Sequence, residues 1–90
     1  MTAIPMRGCI DVNTAPALMR ELMARLGAGG ELRLDMSAVT WIDSAGLASL
    51  VQLLAEARRR GGDLILCSAS DGVRRMLRLA RLDALFPGAG

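Results

Sequence analysis

The residues most able to do chemistry lie between Leu34 and Leu47, where Asp35-Met36-Ser37 is followed by a short apolar bridge and then by Asp43-Ser44-Ala45-Gly46-Leu47. A strand that ends on an acid is followed by an apolar helix that starts on Asp-Ser-x-Gly, which puts the Ser44 hydroxyl at a helix N-terminus. Such an end offers unpaired backbone N–H groups and the positive pole of the helix dipole, so it suits a phosphate. Phosphorylation of Ser44 would add about −1.5 to −2 charge beside Asp43, setting dipole attraction against like-charge repulsion. Taken alone, the two residues are also what an ordinary capped helix start looks like.

Other chemistries fit less well. A serine nucleophile needs a base, and the chain has no histidine and no lysine, so Ser-His and Ser-Lys arrangements are excluded and no enzyme is expected. Asp35 and Asp43 form a conceivable carboxylate pair for acid–base work or Mg²⁺, but two acids flanking a connection more often cap or meet a partner. Cys9 and Cys67 are far apart, without ligand spacing or a histidine to complete a zinc site. No metal and no cofactor are expected, and both thiols are predicted to be reduced and buried.

The elements that must hold these residues follow from periodicity. Ala3 to Arg7 suits a short strand, and Gly8 to Asp11 leads into a helix capped by Asn13 or Thr14 with Pro16 in its first turn. Ala15, Leu18, Met19, Leu22 and Leu26 give that helix an apolar face, and Gly27 to Gly30 ends it. Glu31 to Met36 alternates as a strand covered on one face, and Ser37 to Asp43 is taken as a connection. Leu47, Leu50, Val51 and Leu54 define a second helix, closed by Arg58-Arg59-Arg60 and Gly61-Gly62. Asp63 to Ser68 is nearly all apolar, as in a strand inside a sheet. Ser70 or Asp71 then caps a third helix with Val73, Met76, Leu77 and Ala80 inward and Arg74, Arg75, Arg78 and Arg81 outward, before a turn at Leu82 to Phe86 and a frayed tail over 87–90. Strand–helix order of this kind makes an α/β fold, a small, mainly parallel sheet of three or four strands with helices on one face.

Composition sets the outer limits. Ninety residues suffice for a single domain, 1–90, and 52% hydrophobic residues place it among folded proteins. Trp41 and Phe86 are the only aromatics, so little is available to stack on bases, and a net charge of +2 is no nucleic-acid signal. The arginine face of the third helix reads as solvated. No charged-then-apolar leader and no apolar run of about 18 residues occur, so neither a signal peptide nor membrane insertion is expected and a cytoplasmic protein is.

In order and spacing, Asp35, Ser37, Val39, Ile42, Asp43, Ser44, Gly46 and Leu47 resemble the signature of the STAS family, the fold of bacterial anti-sigma-factor antagonists. Gly8-Cys9-Ile10-Asp11, Gly61-Gly62-x-Leu64, the Val73 to Leu77 helix and the Leu82 to Phe86 turn are similar to further parts of it, so the likeness covers roughly residues 5 to 86. It implies a partner-switching regulator that binds an anti-sigma factor or a GHKL-type serine kinase through Asp11, Asp43, Ser44, Ala45, Gly46 and Leu47, with Asp35 and Ser37 supporting the motif. Phosphorylation of Ser44 by that kinase, whose ATP is bound on the kinase, would release the partner, and a PP2C-type phosphatase would reset it. The family's opening strand is missing or very short, its closing strand and helix are absent after Phe86, and Ala45 stands where a second serine or threonine is common. A non-catalytic STAS subunit docked on the ATPase of an ABC-type phospholipid transporter is the alternative; such subunits often carry threonine at the Ser44 position.

Overall fold

A computed structural model describes residues 3–87. The elements run β1 (Ile4–Ile10), α1 (Ala15–Leu26), β2 (Leu32–Ile42), α2 (Ser44–Arg59), β3 (Leu64–Ala69), α3 (Asp71–Leu79) and a 3-10 turn (Asp83–Leu85). The three strands are parallel in the order β1-β2-β3, so β2 is central. Its alternation does the sorting: Leu32, Leu34 and Met36 are buried, while Arg33 and Asp35 between them stay half-exposed.

β2 is longer than its alternation predicts. The Ser37 to Asp43 stretch, expected to be a connection, continues as strand to Ile42 and pairs with β1 through Arg7↔Ala38, Gly8↔Val39, Cys9↔Trp41 and Ile10↔Ile42. Register shifts between Pro5 and Arg7 and between Gly8 and Cys9 interrupt the pairing. The buried residues therefore run Met36, Val39, Ile42, three apart, and the period of two that marks a strand in sequence is lost there.

Two further expectations are corrected. β3 lies at an edge of the described sheet and not inside it; Leu64 and Leu66 are buried, but Ile65 is only half-buried opposite Arg33. Both cysteines are exposed free thiols. Cys9 pairs with the exposed Trp41 on edge strand β1, and Cys67 falls at the shift between Leu34↔Leu66 and Asp35↔Ser68, where it has no register partner.

The helices bury the expected stripes. Ala15, Leu22 and Leu26 of α1, Leu47, Leu50, Leu53, Leu54 and Ala57 of α2, and Val73 and Leu77 of α3 join the strands in one core with Phe86, which is 1% exposed. Thr14 stands at the N-cap of α1 but its side chain accepts from none of that helix's N–H groups, and Ser70 caps α3 by accepting from the Val73 N–H. Ala80 is exposed because α3 has already ended at Leu79. The expected frayed tail falls, beyond Pro87, outside the described residues.

At the far end of α2, Glu56 accepts from both Arg59 and Arg60, and Arg60 Nη1 reaches the Gly27 carbonyl at 3.0 Å. This ties the helix end to the turn between α1 and β2. Gly62 packs there directly on the Gly29-Gly30 backbone, so a Cβ at 62 would collide with the Gly30 carbonyl group. Gly62→Ala should cost about 1–3 kcal/mol in urea denaturation, whereas Gly29→Ala, where a Cβ meets nothing within 4 Å, should stay within about 0.5 kcal/mol. Hydrogen bonds from Arg59 and Arg60 lower the Glu56 carboxyl from 4.5 to about 2. A depressed carboxyl stabilises the fold above its unfolded value and loses that contribution as pH falls through the folded one. Stability should therefore drop between pH 4.5 and about 2, and Glu56→Gln should flatten that stretch of the acid titration.

Candidate functional site at the start of α2

Parallel strands bring all their carboxyl ends to one edge, where an open α/β sheet usually presents its binding loops. Here β1 and β2 finish side by side as the Ile10↔Ile42 pair, and the Asp43 N–H donates to the Ile10 carbonyl at 3.1 Å. Gly46 then lets the first turn of α2 sit on β1. A Cβ at 46 would lie 2.6 Å from the Ile10 carbonyl oxygen and 2.7 Å from Ile42 Cγ1, so the glycine is required by close approach. The start of α2 and the loop that begins at Asp11 are thereby held together.

Asp43 is the N-cap of α2. Its backbone is extended (φ −104°, ψ −174°), and its Oδ1 accepts from the Gly46 N–H at 2.9 Å. Ser44 is consequently the first helical residue, exposed, and its hydroxyl makes no hydrogen bond among the described residues. The capping role belongs to the aspartate and not to the serine.

Asp11 is half-buried and fastens its own loop: its Oδ1 accepts from the N–H groups of Asn13 and Thr14 at 2.9 and 3.0 Å. The Thr14 hydroxyl accepts from the Asp11 N–H at 2.9 Å and donates to the Cys9 carbonyl at 3.0 Å, locking the end of β1 to the start of α1. Of the residues expected at a partner surface, Asp11, Asp43 and Ala45 are half-buried and Ser44 is exposed. Gly46 and Leu47 are buried; they place the helix and do not reach the surface.

Asp35 and Ser37 sit elsewhere. Asp35 Oδ1 accepts from the Ser37 hydroxyl at 2.6 Å, the Ser37 N–H at 2.9 Å and the Ser68 hydroxyl at 3.3 Å, and these bonds, the Ser37 hydroxyl first, lower its carboxyl below the ordinary value. Only the Ser68 bond crosses from β2 to β3, and Asp35 lies on the order of 20 Å along the strand from Asp43, so the two aspartates are no carboxylate pair. Sequence reading did not single out Val12, which is 65% exposed in the loop after Asp11; a loop residue has no periodicity to reveal it. A pocket of about 170 Å³ lies by β3 and the 3-10 turn, lined by Arg58, Asp63, Leu66 and Phe86, away from Ser44. Among the described residues no His, Cys, Asp and Glu group is placed to hold a metal ion, and no helix is long and apolar enough to cross a membrane.

The STAS domain model matches residues 1–89, and the chain belongs to the STAS domain family. It is 33% identical over 78 residues to an anti-sigma-B factor antagonist of Bacillus subtilis, covering 87% of this chain and 69% of that one. Its identity to the anti-sigma-B factor antagonist of Listeria monocytogenes is 33% over 80 residues, 88% of this chain and 70% of the relative. The fold is similar to that of a candidate anti-sigma factor antagonist from Thermotoga maritima, with a TM-score of 0.80 at 24% identity over 94% of this chain and 80% of the other.

The division of labour between Asp43 and Ser44 is measurable. Asp43→Ala should lose about 1 kcal/mol of stability with the cap, and Ser44→Ala should stay within about 0.5 kcal/mol of the parent in chemical denaturation.

Proposed function

We propose that this domain is an anti-sigma-factor antagonist that works by partner switching. Unphosphorylated, it binds an anti-sigma factor or GHKL-type serine kinase through the surface around Asp11, Asp43, Ser44 and Ala45. The partner kinase, holding the ATP, phosphorylates Ser44, and the modified domain lets the partner go; a PP2C-type phosphatase restores the binding form. The observation that carries this reading is the exposed Ser44 hydroxyl at the first helical position, with Asp43 already serving as cap. Modification there leaves the helix its cap. The names of the relatives from Bacillus subtilis and Listeria monocytogenes support the same role.

Physically, the switch is a surface effect. The phosphate would add about −1.5 to −2 charge next to the Asp43 carboxylate, which already occupies the positive end of α2. The dipole offsets part of the repulsion, so the domain stays folded while its docking surface gains a bulky, strongly hydrated dianion. A partner that fits closely over Ser44 must desolvate that group or lose contact.

The test is capture of partners from native-host lysate by tagged wild-type, Ser44→Ala and Ser44→Asp protein, with mass spectrometry of the captured proteins and of Ser44. An anti-sigma factor or GHKL-type kinase should be retained by wild type and Ser44→Ala, and held at least tenfold less by Ser44→Asp. Equal retention by all three contradicts the switch. An ABC ATPase retained by all three, with Ser44 unmodified, would make the domain a transporter subunit.

A further inference from the structure

Arginines gather at the end of α2 and again along α3, and the two groups differ in what they meet. Arg58, Arg59 and Arg60 each pair with a carboxylate, Asp63 or Glu56. In α3 only Arg74 is paired, with Asp71. Arg75, Arg78 and Arg81 are exposed and form no ion pair among the described residues. The stretch from Asp71 to Asp83 holds four arginines against two aspartates, so the whole net charge of +2 falls within it.

An exposed apolar side chain stands among these charges. Leu79 is 68% exposed, and Arg75 has Arg78 and Leu79 as its neighbours three and four residues on, on the side of α3 opposite the buried Val73 and Leu77. Just beyond, Arg81 closes the helix end, its N–H donating to the Arg78 carbonyl at 3.0 Å. Its φ is 59°, and among the described residues it is the one non-glycine residue with a positive φ, at a place in the chain that glycine usually fills. Arginine there costs backbone strain that glycine would avoid. Offsetting the negative end of the helix does not call for three cations, because that end carries only about half a charge.

We propose that this face of α3 is a contact surface for an anionic membrane: Arg75, Arg78 and Arg81 meet lipid phosphates, and Leu79 enters the headgroup region. The planar guanidinium group suits phosphate, and a few cations with one apolar side chain give shallow, reversible attachment. A fluid headgroup layer fits a convex helix face without a groove, and none of these four residues lines the pocket beside β3. An acidic protein partner would need about 800 Å² of matched surface, more than one face of a nine-residue helix offers. Nucleic acid fits less well, since no aromatic accompanies the arginines to stack on bases. Like charge excludes a second copy laid on the same face. Because α3 starts where β3 ends, and Ala84 to Phe86 after it return to Asp63 and Leu64 at the start of β3, Leu79 lies toward the amino ends of the strands. The opposite edge, with Ser44, stays open while the domain is attached, so this contact is independent of the switch proposed above.

The test is co-sedimentation of the domain with sucrose-loaded vesicles of phosphatidylcholine, pure or with about 30% phosphatidylglycerol, in about 0.1 M salt. The domain should bind the anionic vesicles and not the neutral ones, and bind at least about tenfold more weakly in 0.5 M salt. Arg75→Gln and Arg78→Gln should each weaken binding about fivefold, and Leu79→Ser several-fold. Arg20→Gln, which removes the same charge from an exposed site on α1, should stay within about twofold of wild type. Arg81→Gly should also bind about fivefold more weakly, yet melt no lower than wild type because the strain is gone. No binding to anionic vesicles overturns the proposal. Equal losses in Arg20→Gln and Arg78→Gln overturn it as well, since net charge alone would then set the affinity. Tighter binding to poly-glutamate or to a DNA duplex than to the vesicles, at matched anion concentration, would assign the face to an acidic protein or to nucleic acid instead.

Discussion

Close contact between the first turn of α2 and the end of β1 is the constraint on which the rest depends. Gly46 lies so near the Ile10 carbonyl that no side chain fits between them, and the Asp43 N–H closes the same junction with a hydrogen bond to that carbonyl. Because one backbone oxygen is shared by both contacts, the orientation of α2 is set relative to β1 and not merely to its own strand. The Asp11 loop, fixed by Thr14 on the other side of Ile10, is brought into register with Ser44 by the same few atoms. The surface is thus assembled from two βα junctions, at Asp11 and Asp43, that are separated by the whole of α1 and β2 in sequence but joined through backbone.

The opposite end of the domain has a different character. There Glu56, Arg59, Arg60 and the Gly27 carbonyl form a charge-assisted cluster, and glycines at 30 and 62 let two turns touch backbone to backbone. Ion pairs that remain partly open to water, as these do, contribute little individually. Their value lies in geometry, since Arg60 spans from α2 to the turn after α1 and so fixes the far end of the helix whose near end carries Ser44. Between the two ends, the core of Leu, Ile, Val and Met side chains with Phe86 supplies the burial that holds the helices on the sheet.

Much of this was legible in the sequence, and the failures have identifiable causes. Leu32, Leu34 and Met36 alternate cleanly and mark β2, but the register shifts beyond them break the alternation, so the strand reads as ending six residues early. Cys67 looks buried within an apolar run because sequence cannot reveal that its strand shifts register at that residue. β3 looks central because apolar content reports burial on both faces, whereas Ile65 is apolar and only half-covered. The motif around Ser44 was legible as a pattern; that Asp43, and not Ser44, performs the cap required the backbone angles of residue 43. Trp41 and Val12 gave no pattern at all, since exposure is decided by neighbours distant in sequence.

The central claim is that Ser44 can be modified without disturbing the structure that presents it, so that regulation acts on docking alone. The most direct measurement compares the domain carrying phosphoserine at position 44 with the unmodified domain, recording amide hydrogen exchange across α2 and affinity for the purified anti-sigma partner. The account predicts α2 protection unchanged and affinity at least tenfold lower. Unchanged affinity, or collapse of protection throughout α2 on phosphorylation, would contradict it.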